Sequence, residues 1–122
     1  MTMTRDRVLV IDDDADLREL LALLLPDWGL VALEAEDCVS ALALMDRERG
    51  RLRAVLLDYF MPGLEPRACA AEILSRVEPG VAVVLMSAAV DIGARAAEMG
   101  LARWLAKPFE LADLRAALLA PG

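Results

Sequence analysis

Short, unbroken apolar runs alternate with longer amphipathic stretches along the chain. Four runs read as buried strands: "VLVI" at 8–11, "AVLL" at 54–57, "VAVVLM" at 81–86 and "ARWLA" at 102–106, with "LVALEA" at 30–35 as a weaker fifth. Unbroken rather than alternating apolar character suits strands covered on both faces, as in parallel sheets. Between and after them lie helical patterns: "ADLRELLALLL", "CVSALALMDRE", "PRACAAEILSRV", "DIGARAAEM" and a final "ELADLRAALL". Gly29, Gly50, Gly80 and Gly100 fall where helix C-terminal caps are expected, and Pro26 is placed to end the first helix early. The β-α order, repeated five times, predicts an α/β fold: a doubly wound five-stranded parallel sheet with helices on both faces.

The functional rim of such a sheet is the carboxyl edge of its strands. Asp12, Asp13 and Asp14 follow the first strand, Asp58 the second strong run, Ser87 the third and Lys107 the fourth. Parallel strands gather these carboxylates, the hydroxyl and the ammonium at one edge. Lys107 is unusual in its own right, because every other basic residue among the 13 is arginine. Either residue supplies charge at an exposed position, whereas a small acidic site distinguishes a compact ammonium from a guanidinium.

The chain has 122 residues, 58% of them hydrophobic, which is enough to bury one core, and residues 1–122 read as one domain. A formal charge of −7 disfavours nonspecific attraction to nucleic acid and to anionic membranes, and leaves proteins and metal cations as the expected partners. No apolar run reaches the length of a membrane span, and "MTMTRDRVLV" is too short in apolar character for a signal peptide, so a cytoplasmic protein is expected. Cys38 and Cys69 fit no metal-ligand spacing and read as reduced packing residues. Histidine is absent. That removes histidine catalysis, histidine metal ligands and a phosphohistidine carried on this chain.

Adjacent carboxylates repel one another unless a cation sits between them. Mg²⁺ suits the cluster, since it takes one or two carboxylates and keeps water or phosphate oxygens in its other positions. A carboxylate also attacks phosphorus to form an aspartyl phosphate, and a metal, an ammonium and a hydroxyl then stabilise the charge on the phosphoryl oxygens. Each residue also has a plain structural reading. Asp14 is placed to cap the first helix, Asp58 before "YFMPG" suits a turn, and Ser87 suits a cap of the following helix.

The segments "VLVIDDDADLREL", "VLLDYFMPG", "VVLMSA" and "WLAKPF", in this order and at these separations, resemble the receiver domain of bacterial two-component response regulators. The resemblance covers essentially the whole chain. It implies a flavodoxin-like (βα)5 fold with strand order 2-1-3-4-5. It also implies a phosphoacceptor switch that takes a phosphoryl group onto Asp58 from a histidine kinase or histidine phosphotransfer protein. Asp12, Asp13 and Asp58 would hold Mg²⁺ together with the backbone carbonyl of Phe60. Lys107 would contact the phosphoryl group across a cis Lys107–Pro108 bond, Ser87 would move toward a phosphoryl oxygen, and Trp104 would change rotamer with it. Such a domain catalyses only its own phosphorylation and dephosphorylation, and signals by contact with a downstream protein or output domain. Phe60 and Ala89 would flank the path of the water that hydrolyses the phosphoryl group, and neither side chain positions a water.

Some positions depart from the family's pattern. After "MPG" the chain reads Leu64, Glu65, Pro66, where Pro66 is suited to start the next helix. The interval from Ser87 to Lys107 is about two residues shorter than the resemblance implies, and Gly93 falls inside the helix it shortens, so that helix is expected to be short and loosely held. The competing reading is an enzyme of the haloacid dehalogenase type, with Asp12 as nucleophile and Asp14 as acid. It needs a further acidic motif at a strand end after the lysine, which "PFELADLRAALLAPG" does not offer. A degenerate receiver used as a scaffold is a third reading, although every phosphorylation residue is present. Direct DNA binding is not expected of a chain that ends with the fifth helix.

Overall fold

The computed structural model describes residues 4–60 and 65–119. Five strands, β1 (Arg7–Ile11), β2 (Val31–Ala35), β3 (Leu52–Asp58), β4 (Ala82–Ser87) and β5 (Arg103–Ala106), alternate with α1 (Ala15–Leu24), α2 (Cys38–Arg47), α3 (Pro66–Arg76), α4 (Ile92–Glu98) and α5 (Leu111–Leu119). The strands form one parallel sheet in the order β2-β1-β3-β4-β5, as the sequence pattern and the resemblance led us to expect.

Side chains leave a strand on alternate faces, and here both faces are covered. Leu9, Ile11, Val55, Leu57, Val83 and Leu85 pack on one side against α2, α3 and α4. Val8, Val10, Ala54, Leu56, Val84 and Met86 pack on the other against Leu21 and Leu25 from the α1 side and Leu114 and Leu118 of α5. The central strands β1, β3 and β4 are therefore apolar at nearly every position. Their ends are fixed by ladders on both sides, which is what places the polar residues after them.

The edge strands behave differently. "ARWLA" was expected to be a buried strand, yet in β5 only Leu105 is buried while Trp104 and Ala106 are exposed. The reason is position: β5 pairs with β4 alone and lies at the margin of the sheet. β2 occupies the other edge and buries only Ala35.

Pro26 acts as expected: α1 stops at Leu24, and a single 3-10 turn over Leu25–Trp28 leads to Gly29, whose φ of 75° closes the segment. Gly100 (φ 76°) does the same after α4, letting Leu101 N–H reach the Ala96 carbonyl at 2.8 Å. Pro66 starts α3, where the Glu65 carboxylate accepts from the amides of Arg67 and Ala68. The rest of the departure after "MPG", at Leu64, lies outside the described residues.

One expectation fails outright. Cys38 and Cys69 are joined by a disulfide rather than reduced. Their positions, 31 residues apart in sequence, give no hint of contact, but α2 and α3 lie on the same face of the sheet and bring the two Cα atoms to 6.0 Å. Among the described residues no helix is long and apolar enough to cross a membrane.

Candidate functional site

The carboxyl edge of β1, β3 and β4 carries the only buried polar or charged residues of the described core: Asp12, Asp58 and Ser87. Each directly follows or ends an apolar strand, so its backbone is held by the sheet. Asp12 extends β1 by one more bond, its N–H donating to the Ala35 carbonyl at 3.1 Å. Tyr59 extends β3 in the same way, donating to the Met86 carbonyl at 2.9 Å, and Lys107 extends β5, donating to the Ser87 carbonyl at 2.8 Å. These bonds set the side chains of Asp12, Asp58 and Lys107 toward one another.

Lys107 spans the site. Its Nζ donates to Asp12 Oδ2 at 2.7 Å and to Asp58 Oδ1 at 3.1 Å, and the Lys107–Pro108 bond is cis. Asp13 lies beside them, exposed, and carboxylate oxygens of Asp12, Asp13 and Asp58 all fall within 4.8 Å of one another. Burial first, and then the charge of Asp12, push the Asp58 carboxyl above its ordinary pKa, with Lys107 pulling in the opposite direction. Burial also works against the charge on Lys107, but its hydrogen bond to Asp12 and the charges of Asp58 and Asp12 outweigh it and raise its pKa. The ammonium is favoured in its charged form, and it shares the site with three carboxylates. The surplus negative charge and the hard oxygen donors match a divalent cation of the Mg²⁺ type, so the residues present fit such an ion.

The neighbouring residues sort by role. Asp14 is a helix cap: its Oδ1 accepts from Asp16 N–H at 3.0 Å and Leu17 N–H at 3.3 Å. Its carboxylate is thereby committed to α1, which removes the acid that the dehalogenase reading requires. Ser87 is fully buried and does not cap α4; its Oγ accepts from Ala89 N–H at 3.0 Å, within the β4–α4 turn. It sits on the same rim, next to Lys107. Phe60 has a 58% exposed side chain whose ring meets that of Tyr59 edge to face, with centroids 4.9 Å apart. Trp104 is half-exposed on β5, and its ring lies over α4, where a Cβ built on Gly93 would come within 3.2 Å of it. Gly93 is therefore a seat for the indole as well as a weak helix former.

Two arginines of this neighbourhood were missed from sequence. Arg18 of α1 donates from Nη1 to the Asp12 carbonyl at 2.7 Å, and its Nε stands 3.4 Å from Glu34 Oε1, a charge contact without hydrogen-bond alignment. Arg95 of α4 lies with its guanidinium carbon 4.7 Å from the Tyr59 ring centroid. In a chain this rich in arginine, neither residue is marked out by type or spacing.

Known proteins resemble this chain in sequence and in fold. The family model for the response regulator receiver domain matches residues 8–119. Sporulation initiation phosphotransferase F of Bacillus subtilis is 30% identical over 95% of this chain and 93% of its own length. The probable transcriptional regulator ycf27 of Porphyridium aerugineum is 33% identical over 93% of this chain but 47% of its own length. The chain thus spans about half the length of that relative. Among solved structures, a response regulator receiver domain protein from Clostridium thermocellum superposes with a TM-score of 0.80 at 26% identity, covering 92% of this chain and 90% of that one. Receiver domains are the phosphoacceptor switches of two-component systems, and work with kinases, phosphotransfer proteins and output domains. With sequence, topology and the acidic rim in agreement, the chain belongs to the response regulator receiver domain family.

Proposed function

We propose that this protein switches by accepting a phosphoryl group on Asp58, with Mg²⁺ bound by Asp12, Asp13, Asp58 and the Phe60 carbonyl. The donor is a phosphohistidine on a histidine kinase or phosphotransfer protein. An oxygen of the Asp58 carboxylate forms a bond to phosphorus as the bond from phosphorus to the imidazole nitrogen breaks, and the electron pair leaves with nitrogen. The bound metal would screen the carboxylates from one another and offset the charge that develops on the phosphoryl oxygens.

The chain's own residues have distinct tasks. Burial and the strand ladder hold Asp58 at a fixed place, so little orientation remains to be found when the donor arrives. Lys107, already shared between Asp12 and Asp58, has only to exchange the Asp58 oxygen for a phosphoryl oxygen. Ser87 would turn its hydroxyl from the Ala89 amide toward the phosphoryl group, and Trp104 would follow by leaving its seat on Gly93. Phe60 and Ala89 offer no polar side chain to hold an attacking water, so the phosphorylated form would be long-lived.

The observation that carries this reading is the Lys107 ammonium bridging two buried carboxylates on different strands, 2.7 and 3.1 Å away. The downstream target and the rest of the pathway are proteins rather than nucleic acid in this reading, and the domain acts as a switch rather than on a separate substrate. Incubation with acetyl phosphate and Mg²⁺ tests it: one phosphoryl group per chain in the parent, none in Asp58→Asn, and a weakened Mg²⁺ dependence in Asp13→Asn. Labelling that survives in Asp58→Asn and disappears in Asp12→Asn would return the dehalogenase-type assignment.

A further inference from the structure

Tyr59 and Phe60, the two residues after Asp58, are tied to α4 by a stack of three side chains. Arg95, partly buried, places its guanidinium carbon 4.7 Å from the Tyr59 ring centroid and 5.8 Å from that of Phe60, both within the range of a cation–π contact. The two rings meet at 81°, edge to face, so they present adjoining surfaces to one guanidinium. A planar, weakly hydrated guanidinium suits this better than an ammonium, because it stacks while still donating hydrogen bonds from its edge.

That edge is used. Arg95 Nε donates to Asp91 Oδ1 at 2.7 Å, one helical turn back. Asp91 occupies the N-cap position of α4, where a carboxylate ordinarily accepts from the first free amides, yet it makes no side-chain cap bond. Its carboxylate is committed to Arg95. A seven-residue helix gives up a stabilising cap, and what it gains is an oriented guanidinium.

The two rings differ in what holds them otherwise. Tyr59 is fixed at its backbone by the Met86 carbonyl and packs against the core beneath α2, α3 and α4. Phe60 follows it with a mostly exposed side chain. Among the described residues, its ring meets Tyr59 and Arg95.

We infer that Arg95 is a positioning residue of the metal site: oriented by Asp91 and laid on Tyr59 and Phe60, it holds these two residues in place and couples them to α4. This rests on the proposed function, in which the Phe60 carbonyl is a metal ligand. Mg²⁺ binding then reaches α4 through side-chain packing, before any phosphoryl group arrives.

The test is a titration of the full chain with Mg²⁺, followed by backbone amide NMR shifts at Asp13, Phe60 and α4. Arg95→Gln should weaken Mg²⁺ binding about three- to tenfold, the scale of one partly buried cation–π contact. Asp91→Asn should act in the same direction and more weakly. In a Tyr59→Leu background, Arg95→Gln should add little, and in Arg95→Gln alone the α4 amides should respond less to Mg²⁺ than in the parent. An Arg95→Gln protein that melts earlier but binds Mg²⁺ as the parent does would overturn the proposal, as would a full effect persisting without Tyr59. A parent chain that binds no Mg²⁺ would instead overturn the functional reading beneath it.

Discussion

Helices α1 and α4 both leave the carboxyl edge of the sheet beside the acidic site, and they are held in opposite ways. α1 is ten residues long, and the Asp14 carboxylate caps two of its first amides. Its Arg18 grips the Asp12 carbonyl. α4 is seven residues long, has no side-chain cap and contains Gly93 under the Trp104 ring. Of the residues proposed to do the chemistry, Asp12 and Asp13 lead directly into the rigid α1. Those proposed to report it, Trp104 and the Arg95 stack, belong to the weakly held side. A site that must be preorganised and a surface that must move are thus built from the same sheet edge by spending caps and length unequally.

Removing the cation that joins Asp12, just ahead of the rigid α1, to Asp58 should have the largest effect. Lys107→Ala leaves Asp12 and Asp58 buried without their shared cation, and without metal it should destabilise the fold by about 2 kcal/mol, less than a fully buried pair because Lys107 is partly exposed. Urea denaturation with and without Mg²⁺ checks this, since saturating Mg²⁺ should recover most of the loss. A variant as stable as the parent in the absence of metal would mean the ammonium is not neutralising the site.

The weak side is probed by hydrogen exchange. Amides of α4 should exchange about tenfold faster than those of α1, the difference expected from a missing N-cap and a short helix. Equal protection would remove the contrast between the two helices.

Next in size is the dependence of stability on pH. The pKa of Asp58 is raised, by burial first and the Asp12 charge second, so the native state binds a proton more readily than the unfolded chain. Its contribution is therefore favourable below the unfolded pKa and is lost as pH rises through the folded one. Asp58→Asn should accordingly raise the metal-free melting temperature at neutral pH by roughly 2–5 °C, and the gain should shrink as the pH is lowered. A melting temperature lowered at neutral pH would place the Lys107 bond above desolvation in importance.

The smallest effect is expected at Gly93. Replacement by alanine improves helix propensity by about 1 kcal/mol, but the new Cβ would meet the Trp104 ring at 3.2 Å. Stability should change little while the Trp104 emission shifts, read in a Trp28→Phe background. An unchanged spectrum would mean that the indole is not seated on α4.

Much of this architecture was legible in the sequence because the central strands are covered on both faces. Continuous apolar runs there locate β1, β3 and β4, and the first polar residue after each is then forced to the rim, which is how Asp12, Asp58 and Ser87 could be picked out by position alone. The edge strands gave less. β5 carries apolar residues that face outward, so "ARWLA" looked like a core strand. The disulfide was hidden for a different reason: the Cys38–Cys69 pairing depends on which helices share a face, and isolated cysteines carry no record of that. Arg18 and Arg95 were hidden by their type, since an arginine among many reveals its partner only through tertiary packing. The residues that gather at the acidic rim could be read from strand ends. Its supports could not.

The central claim is that Asp58 is the residue that becomes phosphorylated. An acyl phosphate is reduced by borohydride to an alcohol, which marks the modified side chain permanently. Reacting the full chain with acetyl phosphate and Mg²⁺, reducing it and mapping the product by peptide mass spectrometry should place the mark on Asp58 alone, and omission of Mg²⁺ should nearly abolish it. A mark on Asp12 or Asp13, or none at all in a protein that binds Mg²⁺, would contradict the account.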